Sequence, residues 1–363
     1  MSALRLGGLA RTVASGALGA LSRLDPGRPD VVAVLTYHRI AEPGAPVPPG
    51  LASTDRASFD RQMAMLAGAY HPITLAELVA RRDGGPALPP RSVLVTFDDG
   101  YRDFADVAWP ILRARGIPVV LFVPTGAPGG GAPFWWDRLH RAIREAAAAS
   151  SWVTPAGTLR ITSAAERDDA YRRLRGTVKR LPSDEAAALV DALVAELAGR
   201  SAAAKANPPA VEVLGWPDLV ALASAGVTLA PHSRTHPQLT RVSDTALDEE
   251  IGGSRDDLAQ RLDSPPSPAF AYPSGEHSAR VRDAVERNGF TVAFSTERGL
   301  NDLRTRIDWY AIRRINVGRR TSESAIRAQL DTRVGPLVAA AARRGRRGSA
   351  PGRTTHLVAS GRG

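Results

Sequence analysis

The chain has 363 residues, 44% of them hydrophobic, so it can bury a large core as one α/β domain or as a domain carrying an insertion. It has no cysteine, which excludes disulfides, a thiolate metal site and a thiol nucleophile. The formal net charge is +10, but six of these charges lie in the C-terminal segment. They belong to Arg343, Arg344, Arg346, Arg347, Arg353 and Arg362. The rest of the chain is only mildly basic, so we predict no nucleic-acid partner.

Two terminal segments are predicted to lie outside the folded domain. Residues 1–30 are predicted to form an amphipathic or flexible segment. Residues 336–363 are predicted to form a basic, disordered tail, and the alternative for this tail is an arm that binds an anionic polymer. No apolar run is long enough to cross a bilayer, although peripheral membrane contact stays open. Because we find no convincing export signal, a cytoplasmic or membrane-peripheral location is favoured over an extracytoplasmic one. The sequence does not indicate the oligomeric state.

Buried strands and helices alternate through the first third of the chain. The predicted strands are Val31–Thr36, Val93–Phe97 and Ile117–Val123, and the predicted helices begin near Ser58 and cover Leu75–Arg81 and Ala105–Arg115. Strands that are apolar on both faces and alternate with helices are typical of a parallel sheet or barrel. The ligand site of such a fold lies at the carboxyl ends of the strands.

Residues 137–207 interrupt this alternation with a helical insertion, which contains helices over Ala164–Leu181 and Ser183–Leu197. The insertion is either a packing appendage or a lid over the substrate. Strands resume at Val227. The later strands are predicted at Ala269–Tyr272, Phe290–Phe294 and Ala311–Val317, with helices at Ala246–Leu262 and Ala279–Asn288.

Two adjacent carboxylates, Asp98 and Asp99, end the second of these strands and precede Gly100. Neighbouring residues on an extended chain point in opposite directions, so one carboxylate can bind a cation while the other handles a proton. An ordinary Asp-Asp-Gly turn is the alternative.

A second polar group follows the strand at Val227, where His232 and His236 are four residues apart. On one short turn, both imidazoles can converge on a single point. Two imidazoles and one carboxylate make the three-ligand set of a catalytic zinc with one open position.

These motifs resemble those of the polysaccharide deacetylases, the carbohydrate esterase family 4 or NodB-like group. Thr96–Gly100 resembles the first motif of that family, His232–His236 the second and Tyr272–Gly275 the third, while Asp308-Trp309 is a weak echo of the fourth. The resemblance runs from about residue 31 to residue 317. It implies an α/β fold, a distorted (β/α) barrel of the NodB type with a helical insertion, in a catalytic domain over residues 31–335.

The resemblance also implies roles for individual residues. Asp99, His232 and His236 are expected to bind a divalent metal, with zinc preferred and cobalt, nickel or iron as alternatives. Asp98 is expected to be the general base, and the backbone N–H of Ser274 to stabilise the oxyanion. Spacing alone does not decide which aspartate has which role; the family supplies that order.

The general acid and the partner of the base depart from the family pattern. No histidine lies in a late motif, so His38 at the end of the first strand is predicted as the general acid, with His277 as its rival. Ala271 stands where the family often has an arginine that orients the base. Either Arg313 or Arg314 is predicted to orient the base instead, or no residue does so.

Further residues are assigned to the substrate pocket, namely Tyr272, Pro273, Trp309 and Arg314. Aromatic residues also occur at Phe134–Asp137 in a predicted loop, where packing is favoured over sugar stacking for Trp135 or Trp136.

The function predicted from these features is metal-dependent removal of N-acetyl groups from amino-sugar residues of a polysaccharide or oligosaccharide. One alternative is hydrolysis of another non-peptide C–N bond, as by a deformylase or cyclic amidase. The other is a carbohydrate-binding protein that retains the fold without turnover. The expected partner is an N-acetylated glycan.

Overall fold

The computed structural model describes residues 24–41, 45, 47–128, 134–200 and 213–340. Most of the predicted amphipathic segment (1–23) and of the basic tail (341–363) lies outside the described residues, as do residues 201–207 of the predicted insertion. Among the described helices, none combines the length and apolar character needed to span a membrane.

A mostly parallel sheet forms the centre of the fold. Its strands are β1 (Val31–Tyr37), β4 (His71–Pro72), β5 (Ser92–Phe97), β6 (Val119–Val123), β9 (Thr228–Pro231), β12 (Asn301–Asp302) and β13 (Ile315–Asn316). The main order is β12-β1-β5-β6-β9, with β13 also paired to β1 and β4 to β5. Only β12 runs antiparallel to its neighbour. The register of β1 on β5 places Tyr37 beside Phe97, so both strands end at the same edge.

A second, two-stranded parallel sheet continues the curve of the first. It consists of β10 (Ala269–Ala271) and β11 (Val292–Phe294). Phe294 forms a bridge with Ile312, and the chain then reaches β13 beside β1, so the strands follow most of a ring. These features confirm the predicted distorted barrel.

Burial on both faces explains why the strands are uniformly apolar. Every residue of β1 and β5 is buried. Val32 and Val34 face the barrel interior together with Phe122 and Phe294. The alternate residues of β1, which include Tyr37, pack outward against the surrounding helices. A strand with one solvent face would alternate polar and apolar residues.

Helices surround the sheet, and local signals fix several of their ends. They are α1 (Arg56–Ala69), α2 (Leu75–Arg82), α3 (Trp109–Ala114), α4 (Trp135–Glu145), α5 (Ala164–Val178), α6 (Ser183–Gly199), α7 (Trp216–Ser224), α8 (Asp244–Leu262), α9 (Ala279–Arg287) and α10 (Glu323–Leu330). Thr74 and Glu77 form a capping box at the start of α2. Helix α8 ends at Leu262, and the capping residue Asp263 has a left-handed conformation with φ 45°.

The predicted insertion contains helices α4, α5 and α6 and has its own hydrophobic cluster. This cluster includes Trp136, Trp152, Tyr171, Leu174 and Leu193. A hairpin of β7 (Trp152–Thr154) and β8 (Gly157–Leu159) also lies there, which the helical pattern did not predict. A shorter pair, β2 (Arg39–Ile40) and β3 (Ala52–Thr54), follows β1.

Two local predictions were wrong. Residues 134–137 are not a loop, because Trp135 begins α4. The helix predicted over Ala105–Arg115 is confirmed, with a π-helical turn at Phe104–Ala108 followed by α3, in which Pro110 lies in the first turn, where a missing N–H is tolerated. The strand predicted over Ala311–Val317 is reduced to the bridge at Ile312 and β13.

Candidate active site

The two polar motifs meet because their strands end at one edge of the sheet. Asp98 and Asp99 follow β5, and His232 follows β9, with β6 between them. Backbone hydrogen bonds continue the ladder past the strand ends: the N–H of Asp98 donates to Tyr37 O (3.0 Å) and that of His232 to Val123 O (2.9 Å). The sheet therefore fixes the backbone of both motifs.

Asp99, His232 and His236 form a compact cluster of metal-binding atoms. One ligand atom from each lies within 4.8 Å of the others. Asp99 Oδ1 is 3.7 Å from His232 Nε2 and 3.5 Å from His236 Nε2. This oxygen is buried and has no hydrogen-bond partner among the described residues. A buried carboxylate oxygen without a partner, facing two imidazole nitrogens, fits a divalent cation such as zinc.

The surroundings hold both imidazoles in the neutral state that a metal ligand requires. His232 Nδ1 lies 2.7 Å from the carbonyl oxygen of Ala271, which leaves Nε2 to face the cluster. Burial lowers the pKa of His232, and it lowers the pKa of His236 well below the usual value, assisted by the charge of His232. Neutral imidazole is the form that coordinates metals.

Asp99 is held in an environment that opposes its negative charge in the absence of a cation. Burial, with the neighbouring charges of Asp98 and Asp137, raises the pKa of Asp99 well above the usual value. Asp99 and His236 also have left-handed backbones, with φ of 75° and 60°. Left-handed non-glycine residues are uncommon and concentrate at functional sites.

Asp98 forms a buried ion pair with Arg314. The two terminal nitrogens of Arg314 each donate to one carboxylate oxygen of Asp98, at 2.8 Å, and its Nε donates to Ser295 O. Burial opposes the charge of Asp98, but the charges of Arg314, His232 and His38 outweigh it and lower the pKa of Asp98 to about 2. Asp98 is therefore ionised at neutral pH.

Arg314 thus has a different position from the one predicted. It does not line the cavity as a substrate-binding residue, because it is only 1% exposed and its guanidinium is engaged by Asp98 and Ser295. The geometry matches the alternative prediction that an arginine orients the base. Arg313 is not that residue, since its side chain is 51% exposed and lies 3.7 Å from Glu297.

His38, but not its rival, lies at the site. His38 Nε2 is 4.0 Å from Asp98 Oδ2, and the side chain lines the same cavity. Burial lowers the pKa of His38 to about 4, although the charge of Asp98 opposes this. His277 does not line the cavity; its ring packs on Tyr272 at 4.9 Å between centroids.

Ser274 lies in a tight turn at the cavity wall. This 3₁₀ turn spans Pro273–Gly275, and Ser274 adopts φ 58°. Lys179 Nζ donates to Ser274 Oγ at 2.8 Å, and Gln238 Nε2 does so at 3.3 Å. Ser274 therefore lines the cavity, and the oxyanion role of its N–H stays a prediction.

Three residues predicted to bind substrate do not line the cavity. Tyr272 and Pro273 are buried, and the Tyr272 hydroxyl donates to Tyr310 O. Trp309 is half-buried against the hydrophobic cluster of the barrel interior, and its carbonyl accepts from the N–H of Ala293. These side chains serve packing because the sharp turn after β10 directs only Ser274 and Gly275 to the cavity.

The cavity has a volume of about 1000 Å³ and extends from the strand ends to the insertion. Trp135 at the start of α4 also lines the cavity, as do Arg175 and Lys179 of the insertion, and none of the three was predicted as a site residue. Trp136 is buried, as predicted, and its ring lies 4.7 Å from that of His236. Its indole N–H donates to the hydroxyl of Tyr101, which donates in turn to Asp137.

Comparisons with known proteins point to one family. A model described as polysaccharide deacetylase matches residues 194–293, which include the histidine pair and the Ser274 turn. The poly-beta-1,6-N-acetyl-D-glucosamine N-deacetylase of Escherichia coli K12 is 40% identical over 58 residues. That match covers 16% of this chain and 8% of the relative, so the chain spans a small part of the relative's length.

Solved structures share the fold. The deacetylase PplD of Streptococcus pyogenes, in complex with acetate, has a TM-score of 0.54 at 17% identity, covering 82% of this chain and 97% of that one. IcaB from Ammonifex degensii has a TM-score of 0.52 at 18% identity, covering 84% and 98%.

Proposed function

We propose, on the premise that this chain is a member of the polysaccharide deacetylase family, that it hydrolyses N-acetyl groups on amino-sugar residues of a polysaccharide or oligosaccharide. The observation that carries the proposal is the cluster of Asp99, His232 and His236, with the ionised Asp98 beside it, in a cavity large enough for several sugar rings. The name of the Escherichia coli relative makes a polymer of N-acetylglucosamine the first substrate to test.

Asp99, His232 and His236 would hold the divalent ion. When bound, this ion would polarise the acetyl carbonyl and lower the pKa of a water molecule at the site. All three side chains have little exposed surface, so few water molecules reach them, and the Ala271 carbonyl keeps the His232 ring turned toward the cluster. Zinc is the first choice for these ligands, and cobalt, nickel and iron are the alternatives.

Asp98 is the proposed general base. Water adds to the acetyl carbonyl carbon and gives its proton to a carboxylate oxygen of Asp98; the C–N bond then breaks, and acetate and a free amine leave. The bidentate bond from Arg314 keeps the carboxylate ionised and fixes its plane. Arg314 therefore positions the base without contacting the substrate.

His38 is the proposed general acid for the departing amine. Its lowered pKa leaves it neutral at pH 7, so it has to receive a proton during the reaction. Asp98 Oδ2, 4.0 Å away, is the nearest carboxylate oxygen and would hold the proton taken from water. We propose that this proton passes through His38 Nε2 to the nitrogen, while the N–H of Ser274 stabilises the oxyanion.

Acetate release from oligomers of N-acetylglucosamine tests the proposal. We expect the zinc-loaded chain to release acetate and Asp98→Asn to bind zinc with unchanged affinity while losing at least about 10²-fold in rate. Asp302→Asn, at a surface carboxylate paired with Arg304, is the matched control and should retain activity. Release of formate or opening of cyclic amides without acetate release would favour another C–N hydrolase, and binding without any hydrolysis would favour a carbohydrate-binding protein.

The cytoplasmic or membrane-peripheral location and the lack of a nucleic-acid partner stay predictions.

A further inference from the structure

Helix α5 of the insertion directs two cations into the cavity. Arg175 lies in its last turn and Lys179 caps its end, so the two residues are four positions apart and share one face of the helix. Both line the cavity and both are half-buried. The charge of Arg175 contributes to lowering the pKa of His38, which places Arg175 within electrostatic reach of the proposed general acid.

Among the residues that the structure describes, no carboxylate is bonded to either cation. Lys179 Nζ donates to the neutral hydroxyl of Ser274. The guanidinium of Arg175 makes no hydrogen bond or ion pair with any residue in the part of the chain that the structure describes. Partly burying two cations close together costs free energy unless an anion offsets it.

The acidic residues around the cavity are engaged elsewhere or exposed. Asp98 is bound by Arg314, Asp191 by Arg138, and Glu297 lies beside Arg313. Asp99 belongs to the proposed metal cluster. Two described acids remain, Asp184 and Glu276, and both are exposed to solvent. The charges of Glu276 and Asp99 act on Lys179 from a distance, without a hydrogen bond or ion pair to it. The protein itself therefore leaves the two cations available for an anion from outside.

We propose that Arg175 and Lys179 form a subsite for a carboxylate on a sugar next to the N-acetylated residue, so that the substrate is an acidic glycan in which amino sugars alternate with acidic sugars. This proposal rests on the proposed function and narrows its substrate class. Arginine presents a planar pair of donors that matches a carboxylate, and lysine adds a point charge beside it. The insertion then acts as a substrate-recognising element in addition to its packing role.

Two hexasaccharides of equal length test the subsite. One contains only N-acetylglucosamine and is neutral, and the other alternates N-acetylglucosamine with glucuronic acid. Calorimetric binding is measured with the zinc-loaded full chain carrying Asp98→Asn, which prevents turnover. We expect the acidic hexasaccharide to bind about tenfold more tightly than the neutral one at low salt, since a charge-assisted hydrogen bond contributes a difference of this order.

Arg175→Gln should remove most of this preference while binding of the neutral hexasaccharide changes less than twofold. Arg175→Lys should retain part of it, and Lys179→Gln should weaken it independently. The matched control is Arg172→Gln with Arg200→Gln, which removes two positive charges from the exposed side of the insertion. The control should leave the preference unchanged.

Three results would overturn the subsite: equal affinity for both hexasaccharides, an equal loss of the preference in the control variant, or an effect of Arg175→Gln confined to the binding of free acetate, the other source of a carboxylate. Failure of the proposed function gives a different result. In that case the acidic preference persists in the binding assay, but the chain without Asp98→Asn releases no acetate from either hexasaccharide.

Discussion

Replacing Arg314 with methionine would remove the only cation bonded to Asp98 within the described residues and leave the carboxylate buried. Each of the two hydrogen bonds joins charged groups and has a length of 2.8 Å, and each is therefore worth about 1.5–3 kcal/mol. Losing both corresponds to a rise of about two to four units in the pKa of Asp98, at 1.36 kcal/mol per unit. From its value of about 2, the pKa would move into the range of about 4 to 6.

The low-pH limb of the pH profile of kcat/KM for acetate release should report the raised pKa of Asp98, because the proposed base acts only when it is ionised. In the variant the limb should move into the accessible pH range, and Arg314→Lys, which keeps the charge and one donor, should show a smaller shift. Arg313→Met removes an exposed neighbouring arginine and should leave the profile unchanged. A profile of Arg314→Met superimposable on that of the unsubstituted chain would refute the role of Arg314 as the residue that holds Asp98 ionised.

The free energy of unfolding should also depend on the ionisation of Asp98, and hence on pH. In the unsubstituted chain the folded pKa of Asp98 lies below its unfolded value, so the pair contributes stability above pH 4 that is lost as the pH falls through about 2. In Arg314→Met the folded pKa lies above the unfolded value, so ionising Asp98 destabilises the fold as the pH rises. The loss, about 3–5 kcal/mol at neutral pH, should therefore be smaller at pH 4 in urea denaturation. A loss of unfolding free energy in Arg314→Met that does not vary with pH would contradict this explanation.

Three further predictions concern the metal, a helix end and a buried histidine. Removing metal with a chelator should abolish acetate release, and so should His232→Ala. Added zinc should restore activity to the chelated chain but not to the variant. Full activity after verified metal removal would contradict the ligand assignment. Asp263→Gly should stabilise the fold by about 1 kcal/mol without changing kcat, because glycine adopts the left-handed conformation at the end of α8 at lower cost; a lower Tm would count against it. Burial lowers the pKa of His140 to about 4, so the unfolded chain binds more protons and stability should fall by about 2 kcal/mol between pH 7 and pH 5. His140→Phe should remove that part of the pH dependence, and an unchanged dependence would exclude His140 as its source.

The sequence predicted those parts of the site that adjacent residues encode. Asp98, Asp99, His232 and His236 each belong to a short motif after an apolar strand, and parallel strands bring their carboxyl ends to one edge. The same argument placed His38 at the site, because β1 lies directly beside β5. The strand and helix order followed from uniformly apolar runs and capping residues.

Contacts between distant elements could not be predicted in this way. The bond from Arg314 to Asp98 joins residues 216 positions apart, so no local pattern distinguished Arg314 from Arg313. Trp309 was misplaced because its neighbour Asp308 echoed a motif, while the fold uses the indole for packing against the barrel interior. Lys179 reaches Ser274 only because helix α5 ends over the cavity, and the amphipathic pattern of a helix does not specify where it docks.

The route of the backbone brings early and late residues together: β1 is flanked by β5 on one side and by β12 and β13 on the other, and Asp25 accepts hydrogen bonds from Thr332. Because these positions are neighbours in space, a circularly permuted chain in which residues 25–40 follow residue 335 could enclose the same catalytic groups. The order of the motifs along the chain can thus change in such a barrel while the catalytic groups keep their places. A histidine that follows the first strand, as His38 does here, can therefore occupy the same position in the site as a histidine that follows the last strand of a permuted chain.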